Sequence, residues 1–212
     1  MEKWEMKKIM SGLLLGSILF GRAASIYAAE DEVNGKSSAS ITVNGSLGQD
    51  NEDENAPNID ENSDDWINVT LDTANIFYTT KETAHKTIES PYYSIKNNSG
   101  RGVKISVADF TVTSGNLNNV DELKISGKDY TAADQEVDLK DSGSRAFLTL
   151  ANNQGKLNVE TDPYGGYTND TLYQYSGTTK DEYYKENAEK TAHTLTLAFE
   201  ALDKNGNPIV TP

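Results

Sequence analysis

The side chains best suited to chemistry in this chain are carboxylates, tyrosines and two histidines. Between Gly48 and Asp65 the sequence reads GQDNEDENAPNIDENSDD, with eight acidic residues and no basic one. Asp50, Glu52 and Glu54 fall at alternate positions, and Glu61 stands twelfth when Asp50 is counted as first. Hard oxygen ligands at such spacing suit Ca²⁺, and a calcium loop places a bidentate Glu at its twelfth position. The sixth position of such a loop needs Gly, but here it is Asn55. Asp50, Glu52, Glu54 and Glu61 are therefore candidate calcium ligands, set against the simpler reading of a solvated acidic linker. A second cluster comes late. Tyr164, Tyr167, Tyr173 and Tyr175 lie among Asp162 and Asp170, with Gly165-Gly166 between them. Aromatic faces beside carboxylates can hold sugars, and the same rings can equally cover a sheet. These six residues are the candidate ligand surface.

Enzymatic constellations are harder to assemble. The histidines, His85 and His193, both follow Thr-Ala, and neither is near a nucleophile elbow. With no cysteine in the chain, thiol nucleophiles, disulfides and thiolate metal sites are ruled out. No metalloprotease, P-loop or dinucleotide fingerprint is present. Paired carboxylates for glycoside hydrolysis are available only in the weak sense that acidic residues are many. The expectation is a non-catalytic protein without a cofactor, calcium being the exception to test.

Those residues are carried on elements with a period of two. Ile67, Val69 and Leu71 alternate with polar neighbours, as do Val103, Ile105 and Val107, and Leu195, Leu197 and Phe199. Further short runs cover 76–78, 92–96, 110–112, 136–139, 146–150 and 157–160, divided by Gly and Asn turns. Asn97-Asn98-Ser99-Gly100 marks a hairpin or a tight β-corner. Val120–Leu123 has the composition of at most one helical turn, and Lys180–Lys190 that of one short surface helix. Many short strands with one wet face each predict an all-β fold, a single antiparallel β-sandwich of Ig-like or jelly-roll-like kind, over residues 66–212. Its buried positions should include Trp66, Ile67, Val69, Ile95, Val103, Ile105, Val107, Phe110, Leu148, Leu150, Leu197 and Phe199.

The N-terminal part is organised differently. Lys3, Lys7 and Lys8 precede an apolar run from Ile9 to Phe20, and small residues lead to Ala28-Ala29. A run of about 12 residues is too short for a span of ~20, and the layout is that of a removable secretion signal over 1–28. Residues 29–47 hold a strand-like segment in which Ile41 and Val43 alternate with polar residues, and 48–65 reads as a flexible acidic linker. That strand is expected to fold back on its own sheet or to add to the edge of a neighbouring molecule. Net charge is −14, and removing residues 1–28 leaves about −16. Such acidity disfavours nucleic acid and anionic membrane faces as partners. Without cysteine, a second apolar run or an LPxTG motif, the mature chain is expected to lack a covalent or lipid anchor.

From Ile41 onward, ITVNGSLG, DWINVTL, SPYYSIKNNSGRGVKISVADF and HTLTLAFEAL resemble small secreted proteins of Firmicutes related to WxL-type cell-surface proteins. The Trp-x-Leu motif itself is missing. The strand that should carry it reads Leu195-Thr196-Leu197-Ala198-Phe199, and Trp66 is followed by Ile67-Asn68. The resemblance implies a protein that is extracellular or noncovalently associated with the wall, with a cell-wall polymer or another extracellular protein as partner.

Overall fold

The computed structural model describes residues 50–180 and 189–209. The signal, the strand-like segment at 29–47 and nearly all of the short helix expected at 180–190 lie outside them.

Nearly everything regular is strand. The elements are β1 (Val69–Leu71), β2 (Tyr78–Thr79), β3 (Thr87–Glu89), β4 (Tyr93–Asn97), β5 (Val103–Ser114), β6 (Val120–Lys128), β7 (Asp134–Asp138), β8 (Arg145–Leu150), β9 (Asp170–Thr179) and β10 (Ala192–Ala201). One 3-10 turn, Asp64–Trp66, precedes them. Every strand pair is antiparallel. Val120–Leu123, which has one-turn helical composition, is the start of β6. The alternating run at 157–160 is a turn, because the Asp162 carboxylate accepts the N–H groups of Leu157 (3.1 Å) and Asn158 (2.8 Å). Among the described residues no helix is long and apolar enough to cross a membrane.

The strands form two sheets packed face to face. In the seven-stranded sheet β9 is central, with β6 and then β7 on one side. The stretch 87–97 runs along its other side as β3 and β4, with β2 and β1 outside them. Pro91, which has no N–H to give, sits where that run is interrupted, and the Ser90 hydroxyl accepts the Tyr175 N–H there at 2.8 Å. The second sheet has the order β10-β5-β8. Asn97–Gly100 therefore takes the chain from one sheet to the other as a corner, since β4 and β5 do not pair.

The inner faces make the core. Ile88, Ile95, Leu123, Ile125, Tyr173 and Tyr175 meet Val103, Ile105, Val107, Phe147 and Leu150. Of the twelve residues expected inside, Trp66, Ile95, Val103, Ile105, Val107, Leu148 and Leu150 are buried and the other five are half-buried. Phe147 and Leu148 are both buried despite being neighbours, because a register shift in the β5–β8 pair breaks the alternation there.

The expected flexible linker is instead folded. Its carboxylates turn back on the backbone: Asp50 accepts the N–H of Glu52, and Asp53 that of Asn55. Such Asx turns replace missing ladder bonds. Ala56 and Ile59 are buried with Trp66, Ala201 and Ile209 in a second, smaller core. Arg101 organises this region. Its guanidinium lies 4.0 Å over the Trp66 ring, pairs with Glu61 at 2.9 Å and donates to the Glu54 carbonyl. Lys156 pairs with the Glu54 carboxylate at 2.9 Å. At Gly100 a Cβ would lie 2.6 Å from Glu54 N, so only glycine lets the acidic stretch sit against the corner.

Candidate functional site

The two sheets do not close equally on both sides. Near β7 they meet through β8. On the opposite side, between β10 and the β1–β2 connection, they leave a cleft of about 880 Å³, within the range of ligand pockets.

Its floor is built on tyrosines. Tyr173 and Tyr175 are two residues apart on β9, so the period of two points both inward, and Tyr93 enters from β4, its ring 5.6 Å from that of Tyr173. Their hydroxyls hold the β1–β2 connection. Asn75 Oδ1 accepts from both Tyr173 and Tyr175 at 2.9 Å. Tyr93 donates to the Ile76 carbonyl at 2.9 Å and accepts the Ile76 N–H at 2.6 Å. Burial pushes the Tyr173 phenol up to about 12 and that of Tyr175 higher still. These hydroxyls stay neutral and serve as structural donors.

Apolar side chains line the β10 side of the cleft and part of the side facing it, while Asp72, Asn116, Asn119, Glu189 and Lys190 line its polar remainder. Leu195, Leu197 and Phe199 of β10 face Leu71 and Phe77, all half-buried. His193 lies between two rings, stacked on Phe110 at 5.0 Å and tilted against Phe77 at 5.4 Å. Its Nε2 shares a hydrogen bond with Thr191 Oγ1 at 2.9 Å, while its Nδ1 is buried with no partner among the described residues. Burial moves the imidazole below its ordinary range, toward the neutral form. Ile76 and Tyr78 stand exposed at the rim.

Along one lip runs β10, the outer strand of its sheet among the described residues. Its register shifts against β5 leave Thr113 and Ala108 of β5 without Cα partners, so β10 itself carries no inserted residue. From Ala192 to Phe199 it bears no Lys, Arg, Asp or Glu. The cleft thus offers apolar side-chain sites directly beside main-chain donors and acceptors that are unpaired among the described residues.

The residues singled out by sequence are dispersed. Tyr173 and Tyr175 belong to the core and the cleft floor, while Tyr164 projects from the 151–169 loop, 97% exposed. Tyr167 packs edge-on against Tyr130 at 5.2 Å. The Asp162 carboxylate is engaged by backbone N–H groups, and Asp170 sits at the start of β9 beside Thr168. The six do not form one surface. Of the calcium candidates, Glu54 and Glu61 face Lys156 and Arg101, Asp50 caps its own turn and Glu52 is exposed. No group of three or more acidic or imidazole side chains among the described residues is placed to hold a metal ion. The residues that line the cleft, Phe77, Phe110, His193, Leu195 and Leu197, carry no sequence signal beyond ordinary alternation. The chain matches no family model and no curated protein.

Proposed function

We propose that this chain is an exported, non-catalytic binding protein that holds an extended segment of an extracellular partner in the cleft between its sheets. The observation that carries this reading is the coincidence of a cleft with apolar side chains along β10 and an uncharged strand edge that is unpaired among the described residues. In strand addition, main-chain hydrogen bonds supply affinity and alternate side-chain pockets supply specificity. The tyrosine hydroxyls of the floor are already committed to Asn75 and the backbone, which suits a rigid receptor. The test compares bare Gram-positive wall sacculi with walls still bearing their surface proteins. Retention on the protein-bearing walls alone, lost in Leu197→Asp, supports the reading. Release of muropeptides would replace it with a hydrolase.

A shallow groove on the outer face of the larger sheet favours a second reading. There the exposed Tyr92 and Leu172 lie beside Gln135 and Gln174, a ring and amides of the kind that contact sugars. Retention on bare sacculi that survives Leu197→Asp and is lost in Tyr92→Ala would identify wall glycan as the ligand.

A further inference from the structure

We propose that the occupant of the cleft is residues 40–45 of a second copy of this chain, added as a strand to the outer edge of β10 with Ile41 and Val43 seated against Phe77 and Leu197. This rests on the strand-binding reading above and names the strand.

The first argument is geometric. A strand paired to β10 lies about 4.8 Å beyond it, which places it over the mouth of the cleft between β10 and the β1–β2 connection. Successive residues of that strand point alternately in and out. Ile41 and Val43, separated by Thr42, supply two branched aliphatic side chains on the inward face and leave Thr42 and Asn44 to solvent.

The second argument is charge. A quarter of this chain is charged, yet residues 37–49 contain no Lys, Arg, Asp or Glu, and neither does Ala192–Phe199. Natural edge strands are ordinarily protected by charged side chains, proline or bulges. Here Ala192–Phe199 lacks all three, the one charge of β10 being Glu200 near its end, and the uncharged segment is its complement.

Direction favours a second copy as the donor. Every described strand pair is antiparallel, and a strand arriving from another molecule is free to continue that pattern. The segment of the same copy must lead into Asp50, and the Asn51 carbonyl is fixed to Gly100 N at 2.7 Å. Gly100 lies two residues before Gly102, whose carbonyl accepts the Leu202 N–H just past the C-terminal end of β10. A same-copy strand that enters from that end without reversing runs parallel to β10, the slightly less stable pairing.

Because the chain has no cysteine, introduced thiols report contacts without background. The chain from residue 29 is made as Thr42→Cys and, separately, as Thr194→Cys, Thr196→Cys and Ala198→Cys, three of the four exposed positions of β10. Thr42→Cys is mixed with each of the others under mild oxidation. The expected result is a disulfide-linked heterodimer with one β10 position, several-fold above an Asp134→Cys control on the far strand β7. Light scattering of the unmodified protein should show an oligomer that Ile41→Asp reduces to monomer with unchanged far-UV circular dichroism. No cross-link above control overturns the proposal. So does a cross-link found only within single molecules of a Thr42→Cys/Thr196→Cys double variant. If cross-linking fails but a bulky thiol reagent on Thr196→Cys abolishes retention on protein-bearing walls, the strand-binding reading stands and only this occupant is wrong. If both fail, the reading falls with it.

Discussion

Replacing Trp66 by alanine tests whether the acidic stretch is a structural part of the fold. The indole is 1% exposed, packed among Ala56, Ile59, Ala201 and Ile209, and its Nε1 donates to the Asp60 carbonyl at 3.0 Å. Removing a buried Trp costs about 3–5 kcal/mol through lost burial and the cavity left behind. The guanidinium of Arg101 also loses the ring beneath it, worth roughly 0.5–2 kcal/mol. A total near 4 kcal/mol is a large part of the ~5–15 kcal/mol that holds a domain together. At about 2–4 °C per kcal/mol for a domain of this size, the melting temperature should fall by roughly 10 °C. In the chain from residue 29, Trp66 is the sole tryptophan, so urea titration of its fluorescence gives the reference stability directly, and circular dichroism follows the variant. Trp66→Phe should recover more than half of the loss. A Trp66→Ala variant within about 0.5 kcal/mol of the parent, the range of ordinary surface substitutions, would refute the argument and return 48–65 to a loosely attached linker.

Four other outcomes follow from the contacts described above. Gly100→Ala should lift the acidic stretch, because its Cβ meets the backbone of Asp53 and Glu54 at 2.6–2.7 Å; faster protease cleavage within 50–65 at about 1–3 kcal/mol of destabilisation checks this. Asn75→Ala should cost about 1–3 kcal/mol by leaving the buried Tyr175 hydroxyl without its acceptor, whereas Tyr175→Phe should cost no more than ~1.5 kcal/mol. Tyr173 and Tyr175, held neutral by burial, contribute stability that is complete below pH 10 and lost as pH rises toward about 12; phenolate absorbance should appear together with unfolding. His193 is shifted the other way, so its contribution is complete above the ordinary histidine range of about 6.5 and declines as pH falls below it, the unfolded chain taking the proton first. His193→Phe should flatten that acid limb of urea midpoint against pH.

What was legible in the sequence was whatever depends on local alternation. Val103, Ile105 and Val107 alternate and are buried on one face, and Asn97–Gly100 reads as a corner because turn residues break two such runs. What failed depended on partners distant in sequence. The 48–65 stretch has the composition of a flexible linker, and nothing local shows that Arg101 and Lys156 will meet Glu61 and Glu54 across gaps of 40 and 102 residues. The tyrosines of β9 look like the tyrosines of the preceding loop until pairing with β4 turns one set inward and leaves Tyr164 in solvent. The cleft was illegible for the same reason. Leu195, Leu197 and Phe199 alternate as core residues do, and only the arrangement of the opposite sheet leaves them half covered.

The charge of the chain bears on how copies associate. Each carries about −16 once residues 1–28 are removed, so two copies repel, while the edge and strand proposed to join them are neutral. The attraction is then apolar and main-chain in character, and the repulsion is long-range. Salt acts unequally on the two. At low ionic strength the Debye length reaches about 30 Å, and at 0.1 M it falls to about 10 Å, which screens the repulsion and leaves the strand contact intact. Association through β10 should therefore strengthen as salt is raised, opposite to a complex assembled by complementary charge, whose association slows with ionic strength. Light scattering across a salt series at fixed protein concentration measures this. An oligomer that dissociates as salt increases would mean that ion pairs hold the copies together, and the neutral edge would not be the surface that joins them.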